Sequence, residues 1–308
     1  MKIGIIGLGD IAQKAYLPII AQFANVELVL CTRNAETLAL LARQYRITET
    51  CQNYQQLTSF GVDAVMIHAA TDIHVQISEY FLKQGIPTFV DKPLADNAAD
   101  VERLYETAAQ AVQPLYVGFN RRHIPLYNQH MGNVQSGDIS ALKSLRWEKH
   151  RYNQPGDVRT FIFDDFIHPL DSVNVGAKTE PKDVYITHQY DEKQLARLDV
   201  QWQHGDTLLH ASMNRQFGIT SERVQACFSN KALEFDSFVE GKLWQGNQEQ
   251  KLSLKDWTPM LTSKGFHTML LDWFKVIESG KMASNVIERN IATHQLAEAI
   301  CNKIERDL

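Results

Sequence analysis

Along the first 120 residues the apolar positions fall in short continuous runs separated by stretches of helical period. KIGII at 2–6, VELVLC at 26–31, AVMIH at 64–68, Pro87–Val90 and Leu115–Gly118 read as strands buried on both faces. Between them, helical spacing predicts helices running to about Gln22, over Ala35–Tyr45, from Thr71–His74 to Lys83, where Gly85 ends it, and over about 97–110. A short segment near Cys51 and a helix-like 54–59 complete the series. Strand and helix alternating at this spacing predict a doubly wound parallel sheet, an α/β unit. From about Asp183 the period changes to two. VYITHQY, ARLDVQWQ, TLLHASMNR, SERVQACFS, ALEFDSFVEGKLWQG and QKLSL alternate apolar and polar residues between Gly, Asp and Asn turns. They predict a large, open, mainly antiparallel sheet, with His204-Gly205-Asp206 as a hairpin turn. Helical spacing returns over 265–279 and 286–306, so this half is α+β. The expected domains are 1–120 and 121–308, joined near 119–122 without a flexible linker. Trp202, Phe228, Phe235 and Trp244 are candidates to populate one face or the other of the second sheet.

Composition narrows the function classes. The formal net charge of −5 argues against general affinity for nucleic acid or an anionic membrane. Hydrophobic residues at 44% supply a sizeable core. The four cysteines, Cys31, Cys51, Cys227 and Cys301, form no CxxC pair; this argues against a structural zinc site and fits a reducing compartment. MKIGIIGLG lacks the length and cleavage site of a signal peptide, and no run of 18 apolar residues exists, so the expectation is a cytoplasmic protein.

Gly7-Leu8-Gly9-Asp10-Ile11-Ala12 changes the picture most. It is G-x-G-x-x-G/A with a strand before it and a helix after it. Gly7 permits a tight turn, Gly9 lets backbone approach a pyrophosphate, and Ala12 allows close helix–strand packing. The helix start then offers unpaired N–H groups to phosphate. This is the fingerprint of a dinucleotide-binding Rossmann domain. An acid usually follows the second strand of an NAD site; here Cys31-Thr32-Arg33-Asn34 has none, and a guanidinium suits a 2′-phosphate. That favours NADP, with NAD the other candidate.

Lys92 follows a strand's carboxyl end, where ligands bind in open α/β sheets, and Pro93 biases it towards extended backbone. The GLGDIA start, the DAVMIHAATDIHVQISEYFLKQGIPTFVDKPLA block and VGFNRRHIP together resemble the glucose–fructose oxidoreductase/inositol dehydrogenase (Gfo/Idh/MocA) family over nearly the whole chain. Within it the chain is most similar to the virulence-factor-like (MviM-type) oxidoreductases. The resemblance implies that Lys92 hydrogen-bonds a substrate hydroxyl and the nicotinamide ribose, with Asp91 in place of the usual Glu. His74 matches the family histidine after the fourth strand, read here as a helix-cap residue packing a cofactor loop. The expected cofactor site is Gly7, Gly9, Asp10, Ile11, Thr32, Arg33, Ala69, Ala70, His74, Asp91, Lys92 and Asn120. Arg122 matches the retained family arginine and is expected at the substrate, with His123 replacing the usual aromatic.

FIFDDFIHPLD, 161–171, sets three carboxylates and a histidine among apolar residues. In a regular helix Asp164, His168 and Asp171 share one face at i, i+4 and i+7, and Asp165 points elsewhere. Pro169 makes a regular interior turn unfavourable, and a helix starting near His168 with Pro169 at its first position is one solution. These residues can be caps and ion pairs, or a proton-transfer set. The family motif D-x-G-x-H-x-x-D implies the latter: His168 transfers the proton, Asp164 binds and orients substrate, and Asp171 holds the imidazole or caps the helix. With Lys92 these are the expected catalytic residues. Alcohol oxidation needs such a base beside a departing hydride. Phe166 replaces the family glycine and would narrow the pocket.

The expectation is an NAD(P)-dependent oxidoreductase moving hydride between nicotinamide and a secondary alcohol or ketone of a sugar, polyol or related compound. The resemblance also implies a homo-oligomer, dimer or tetramer, built through the second sheet. Two other readings stand beside it: a catalytically silent nucleotide-binding sensor, and a non-redox lyase or hydrolase that uses bound NAD transiently. No metal is expected.

Overall fold

The structure, a computed structural model of the chain, describes residues 1–177, 179 and 181–306. It divides into two compact units. The first is Met1–Phe119 together with Phe266–Ser284; the second is Asn120–Gly265 with the described residues from Asn285 onward. The chain first crosses between the units at Phe119 and Asn120, and it returns to the first unit for Phe266–Ser284. Helix Phe266–Ser279 belongs to the first unit, where Asp272 accepts a 3.0 Å hydrogen bond from Tyr116 Oη and Trp273 packs 5.9 Å from the Phe89 ring. An amphipathic helix advertises an apolar face, not which sheet that face will cover.

The first unit is a six-stranded sheet of β1 (Lys2–Ile6), β2 (Glu27–Cys31), β3 (Thr50–Cys51), β4 (Ala64–Ile67), β5 (Thr88–Val90) and β6 (Leu115–Val117), in the order β3-β2-β1-β4-β5-β6. Every pairing is parallel. The chain order reverses between β1 and β4, which opens a crevice at the carboxyl ends of those strands. All four residues of β4 are fully buried, as expected for a strand covered on both faces. Helix Ala35–Tyr45 starts where the Asn34 side chain accepts from Thr37 N at 3.0 Å, and Ala98–Ala111 where Asn97 accepts from Asp100 N at 2.9 Å.

The second unit carries an eight-stranded sheet of β7 (Leu142–His150), β8 (Tyr185–Asp191), β9 (Gln194–His204), β10 (Thr207–Asn214), β11 (Ser221–Phe228), β12 (Lys231–Phe235), β13 (Glu240–Gln245) and β14 (Gln248–Ser253). The order is β14-β13-β12-β11-β7-β10-β9-β8, and only β7 with β10 is parallel. The central strand β7 was not anticipated. Its inward positions are Leu145, Trp147 and Lys149, so a buried lysine breaks the apolar alternation that would have revealed it. Trp202 and Phe235 are buried, and Phe228 and Trp244 half-buried. Helix Ile167–Val173 packs on β7 and β10. No helix among the described residues is long and apolar enough to cross a membrane.

Gly265, the last residue of the second unit's main segment, has φ +87°, and a Cβ there would collide with the Asn120 carbonyl oxygen and sit 2.8 Å from His123 C. Gly265→Ala should therefore lower unfolding free energy by more than about 1 kcal/mol in denaturant titration, because both strain and a backbone collision must be relieved. A loss of only a few tenths would contradict this local geometry.

Candidate active site

Each unit contributes its own set of functional side chains. In the first, the turn after β1 is fixed by Gly7. Its φ is +83°, and a Cβ would lie 2.6 Å from Ala69 N and 2.8 Å from His68 C, so only glycine lets the turn pass beneath the segment after β4. His68 N donates to Ile6 O at 2.7 Å and Gly7 N to Cys31 O at 2.9 Å, which hold the three strand ends together. At Gly9 a Cβ would meet nothing within 4 Å, so the backbone there faces open space. Helix begins at Asp10, and Gln13 N donates to Gly9 O at 3.1 Å. The preceding N–H groups of the first turn are left for an external acceptor.

A cavity of about 480 Å³ lies at this edge, and Gly7, Gly9, Thr32, Arg33, Ala69 and Ala70 of the expected cofactor site line it. Arg33 is exposed, and among the described residues no carboxylate pairs with it. The cradle fits a dinucleotide: glycine-exposed backbone, free helix N–H groups and a cationic rim. Asp10 is exposed and pairs with Lys14 one turn on, and Ile11 is 37% exposed.

His74 opens helix His74–Lys83 and is buried. Its Nδ1 lies 2.9 Å from Pro93 O and its Nε2 2.9 Å from Ala69 O. It braces the loop after β4 against the loop after β5. Lys92 is half-buried beyond β5, and its bond to Pro93 is cis. Asp91 is buried and accepts from Tyr16 Oη at 2.7 Å; burial raises its pKa, against the opposing charge of Lys92.

His68 was not anticipated. Only 4% exposed, it also lines the cavity, and its ring stacks 4.0 Å from that of Tyr16. Neither ring nitrogen has a partner among the described residues. Burial, and then the nearby His74, push its pKa down to about 3, so the ring is neutral. The sequence signal was a polar residue closing the apolar run AVMIH.

In the second unit the FIFDDFIHPLD segment is helical, but Thr160–Phe166 is wound as a π-helix before Ile167–Val173 continues as α-helix. The i→i+5 winding turns each residue less about the axis than an α-helix does. The expected face, with Asp164 beside His168 and Asp171 and Asp165 pointing elsewhere, is not the buried one. Asp164 is exposed, whereas Asp165, His168 and Asp171 are buried. Pro169 sits inside the helix, and its missing N–H leaves the Asp165 carbonyl without an i+4 donor; Lys149 Nζ lies 3.5 Å from that oxygen.

The Asp165 carboxylate is held by three cations. Lys149 Nζ pairs with Oδ1, Arg151 donates from Nε and Nη2 at 2.8 Å each, and Arg215 Nη2 donates at 3.2 Å. Burial opposes its ionisation, but Lys149 and Arg151 outweigh burial and hold its pKa well below the usual carboxylate range. Burial, and then the neighbouring Arg121 charge, push the Lys149 ammonium down to about 7, although Asp165 and Glu222 pull the other way.

Arg122, expected at the substrate, gives Nε and Nη2 to Asp171 at 2.9 and 2.6 Å. Asp171 also accepts from Thr293 Oγ1 at 3.0 Å and pairs with Arg289 at 3.6 Å, so its carboxylate ties the helix to Ser284–Arg306 rather than serving as a helix cap. The arginine beside His168 is Arg121. It forks onto Glu222 at 3.2 and 2.9 Å, and its Nη1 reaches Asn120 Oδ1 at 3.0 Å and His168 Nε2 at 3.4 Å. Glu222 accepts in addition from Trp147 Nε1 at 2.7 Å. A guanidinium only donates, so Nε2 of His168 accepts and the ring is neutral, the form a base requires. Asn120, counted towards the cofactor from sequence, gives its amide N–H to Lys264 O at 2.8 Å. Phe166, expected to narrow the pocket, is fully buried with its ring 6.5 Å from Phe161.

The family model described as the oxidoreductase family with an NAD-binding Rossmann fold matches residues 1–119, and that of the YceM-like C-terminal domain matches 125–243. A crystal structure of a Gfo/Idh/MocA family oxidoreductase from Vibrio cholerae is 60% identical with a TM-score of 0.98, covering 100% of this chain and 99% of that one. The chain belongs to the Gfo/Idh/MocA oxidoreductase family. A dehydrogenase (MviM) of Clostridium difficile has 27% identity and a TM-score of 0.87, covering 100% of this chain and 99% of that one. A Salmonella typhimurium protein named YceM is 29% identical over 307 residues, 97% of each chain. Membership makes the chain an enzyme of the NAD(P)-dependent dehydrogenase and reductase type with an NAD-binding Rossmann domain.

The ring of cations gives Asp165→Asn a defined cost. It keeps the shape but leaves three cations around a neutral amide, and unfolding free energy should fall by about 3–5 kcal/mol. In the wild type the depressed carboxylate contributes stability that is complete above the unfolded-state pKa and is lost as pH falls through the folded one. Denaturation scanned downward from pH 5 should therefore show a steeper acid loss in wild type than in Asp165→Asn.

Proposed function

We propose that the enzyme moves hydride between NADP(H) and a carbon bearing a secondary alcohol or ketone, in a sugar, polyol or related hydroxy or keto compound. The observation that carries the cofactor half is the glycine cradle with Arg33 at its rim, paired with no carboxylate among the described residues. A 2′-phosphate would meet a planar guanidinium and the Thr32 hydroxyl, where an NAD site would present an acid to a ribose hydroxyl. The nicotinamide, when bound, supplies the hydride acceptor or donor.

The chain's own residues manage the proton and the developing charge. Lys92, cationic, stabilises alkoxide character on the reacting oxygen. His168, neutral with Nε2 as acceptor, takes the hydroxyl proton, and the substrate hydroxyl competes with the long Arg121 contact for that nitrogen. Asp164, exposed on the π-wound turn, keeps a part only at the substrate's outer edge. The buried carboxylate that orders the surroundings of His168 is Asp165. Arg122 holds Asp171, and Arg121 takes the place beside the imidazole. Phe166 is fully buried, its bulk taken up by packing, which supports turnover over the silent-sensor reading. Oligomerisation through the second sheet belongs to the same proposal: Tyr185 and Leu208 on its strands remain 62% and 57% exposed.

Two measurements test it. Arg33→Ala should raise the NADP⁺ dissociation constant at least tenfold and change that for NAD⁺ by less than twofold, by calorimetry; equal losses would remove the NADP assignment. His168→Ala should lower turnover by about 10²–10⁴-fold while cofactor affinity is unchanged. Full activity in that variant would sink the proton-transfer role.

A further inference from the structure

The charges around Asp165 do not balance. Lys149, Arg151 and Arg215 share that one carboxylate, and the four contacts from these cations occupy both of its oxygens. Lys149 and Arg215 are buried, with side chains 3% and 9% exposed. Arg121 beside them is matched by Glu222. Asp164, whose charge Arg151 also feels, is exposed to solvent. Even with Asp164 counted, four basic side chains face three carboxylates, and burial holds Lys149 down to about 7, so an anion arriving here would favour its charged form. A buried charge without a partner is costly and is normally compensated by a counter-charge. Arg151 is the member that solvent reaches, with its side chain 33% exposed and only Nε and Nη2 committed to Asp165.

We propose that Arg151, backed by Lys149, binds an anionic group of the substrate, a carboxylate or a phosphate ester, beside His168. This rests on the hydride-transfer reading of the site and sharpens it: the reacting compound is a hydroxy or keto acid or a sugar phosphate rather than a neutral polyol. Arg215 is a positioning residue. Its guanidinium stacks 4.5 Å above the Phe161 ring and fixes Asp165, which fixes Arg151. A fork-shaped guanidinium suits either oxyanion, and the surplus charge of the lysine becomes favourable once an anion is present.

The full-length protein saturated with NADPH is titrated with inorganic phosphate and with malonate, and its melting temperature is followed against sodium chloride of equal ionic strength and against neutral inositol. Either anion should raise the wild-type melting temperature above the salt control, and inositol should not. Arg151→Gln should lose that increment, and Arg151→Lys should keep part of it; the Lys variant guards against a fold defect in the first. Sugars are then assayed beside their aldonic acids and their phosphate esters. The preferred anion should give kcat/KM at least tenfold above its neutral parent, and Arg151→Gln should raise KM for it more than it lowers kcat. Which class wins tells carboxylate from phosphate. Anion stabilisation no larger than with chloride, an increment that survives in Arg151→Gln, or equal turnover of acid and parent sugar would each overturn the proposal. Anion binding at Arg151 with no turnover of any compound would instead support the site and remove the hydride-transfer reading.

Discussion

One buried carboxylate organises the second unit. Asp165 lies on a π-wound helix, Lys149 stands near the end of the central strand β7 with Arg151 just beyond it, and Arg215 follows β10. Pairing them pins the helix to the two strands at one point, with a geometry that apolar packing alone would leave looser. Such a cluster is a poor source of net stability, because desolvation of the ions offsets most of their attraction. What it does supply is position. Asp165 stands three residues before His168, a neighbouring position on a helix, and its cations hold it inward while Asp164 is left to solvent. Pro169 completes the arrangement by leaving the Asp165 carbonyl to Lys149.

The two units differ in how far their sequences disclosed them, and the reason is physical. Parallel strands covered on both faces read as unbroken apolar runs, so AVMI at β4 declared itself, and Gly7 of the first turn is demanded by backbone proximity that no other residue tolerates. Local chemistry of this kind is written locally. β7 was hidden because its inward face carries Lys149, whose presence makes sense only once Asp165 is known to lie opposite. The same holds for the arginines. Arg121 and Arg122 are adjacent and chemically identical, and only the distant partners Glu222 and Asp171 decide which one reaches His168. Asp164 and Asp165 both stand within one turn of His168, and only the distant cations Lys149, Arg151 and Arg215 decide which of the two is held inside. Helix Phe266–Ser279 joined the first unit through Asp272 and Trp273, contacts that sequence spacing does not encode.

Three buried histidines show how one residue type is set to different tasks by its neighbours. His74 has a carbonyl oxygen 2.9 Å from each ring nitrogen. Carbonyls only accept, so a ring N–H donates to one of them, and the ring bridges two loops of the nucleotide edge. His68 stands close by with no protein acceptor for either nitrogen, and burial together with His74 keeps it neutral. His168 faces a guanidinium that can only donate, which favours the neutral ring with its lone pair at Nε2.

These settings divide the charge in a way suited to the chemistry. At the nucleotide edge of the first unit, the floor of the cavity is neutral at His68 and the rim is positive at Arg33, so a polyanionic cofactor meets cationic and N–H groups where its phosphates would lie and an uncharged ring deeper in. In the second unit the imidazole is kept basic in form while the surplus positive charge sits on Lys149 and the arginines, which cannot serve as its proton acceptors while charged. A base surrounded by cations discourages a second proton on itself, yet the same cations favour any neighbouring oxygen that becomes negative. In the proposed role, proton acceptance at His168 would therefore be coupled to the arrival of negative charge beside it. A neutral ligand brings none, and an anionic one brings it with binding.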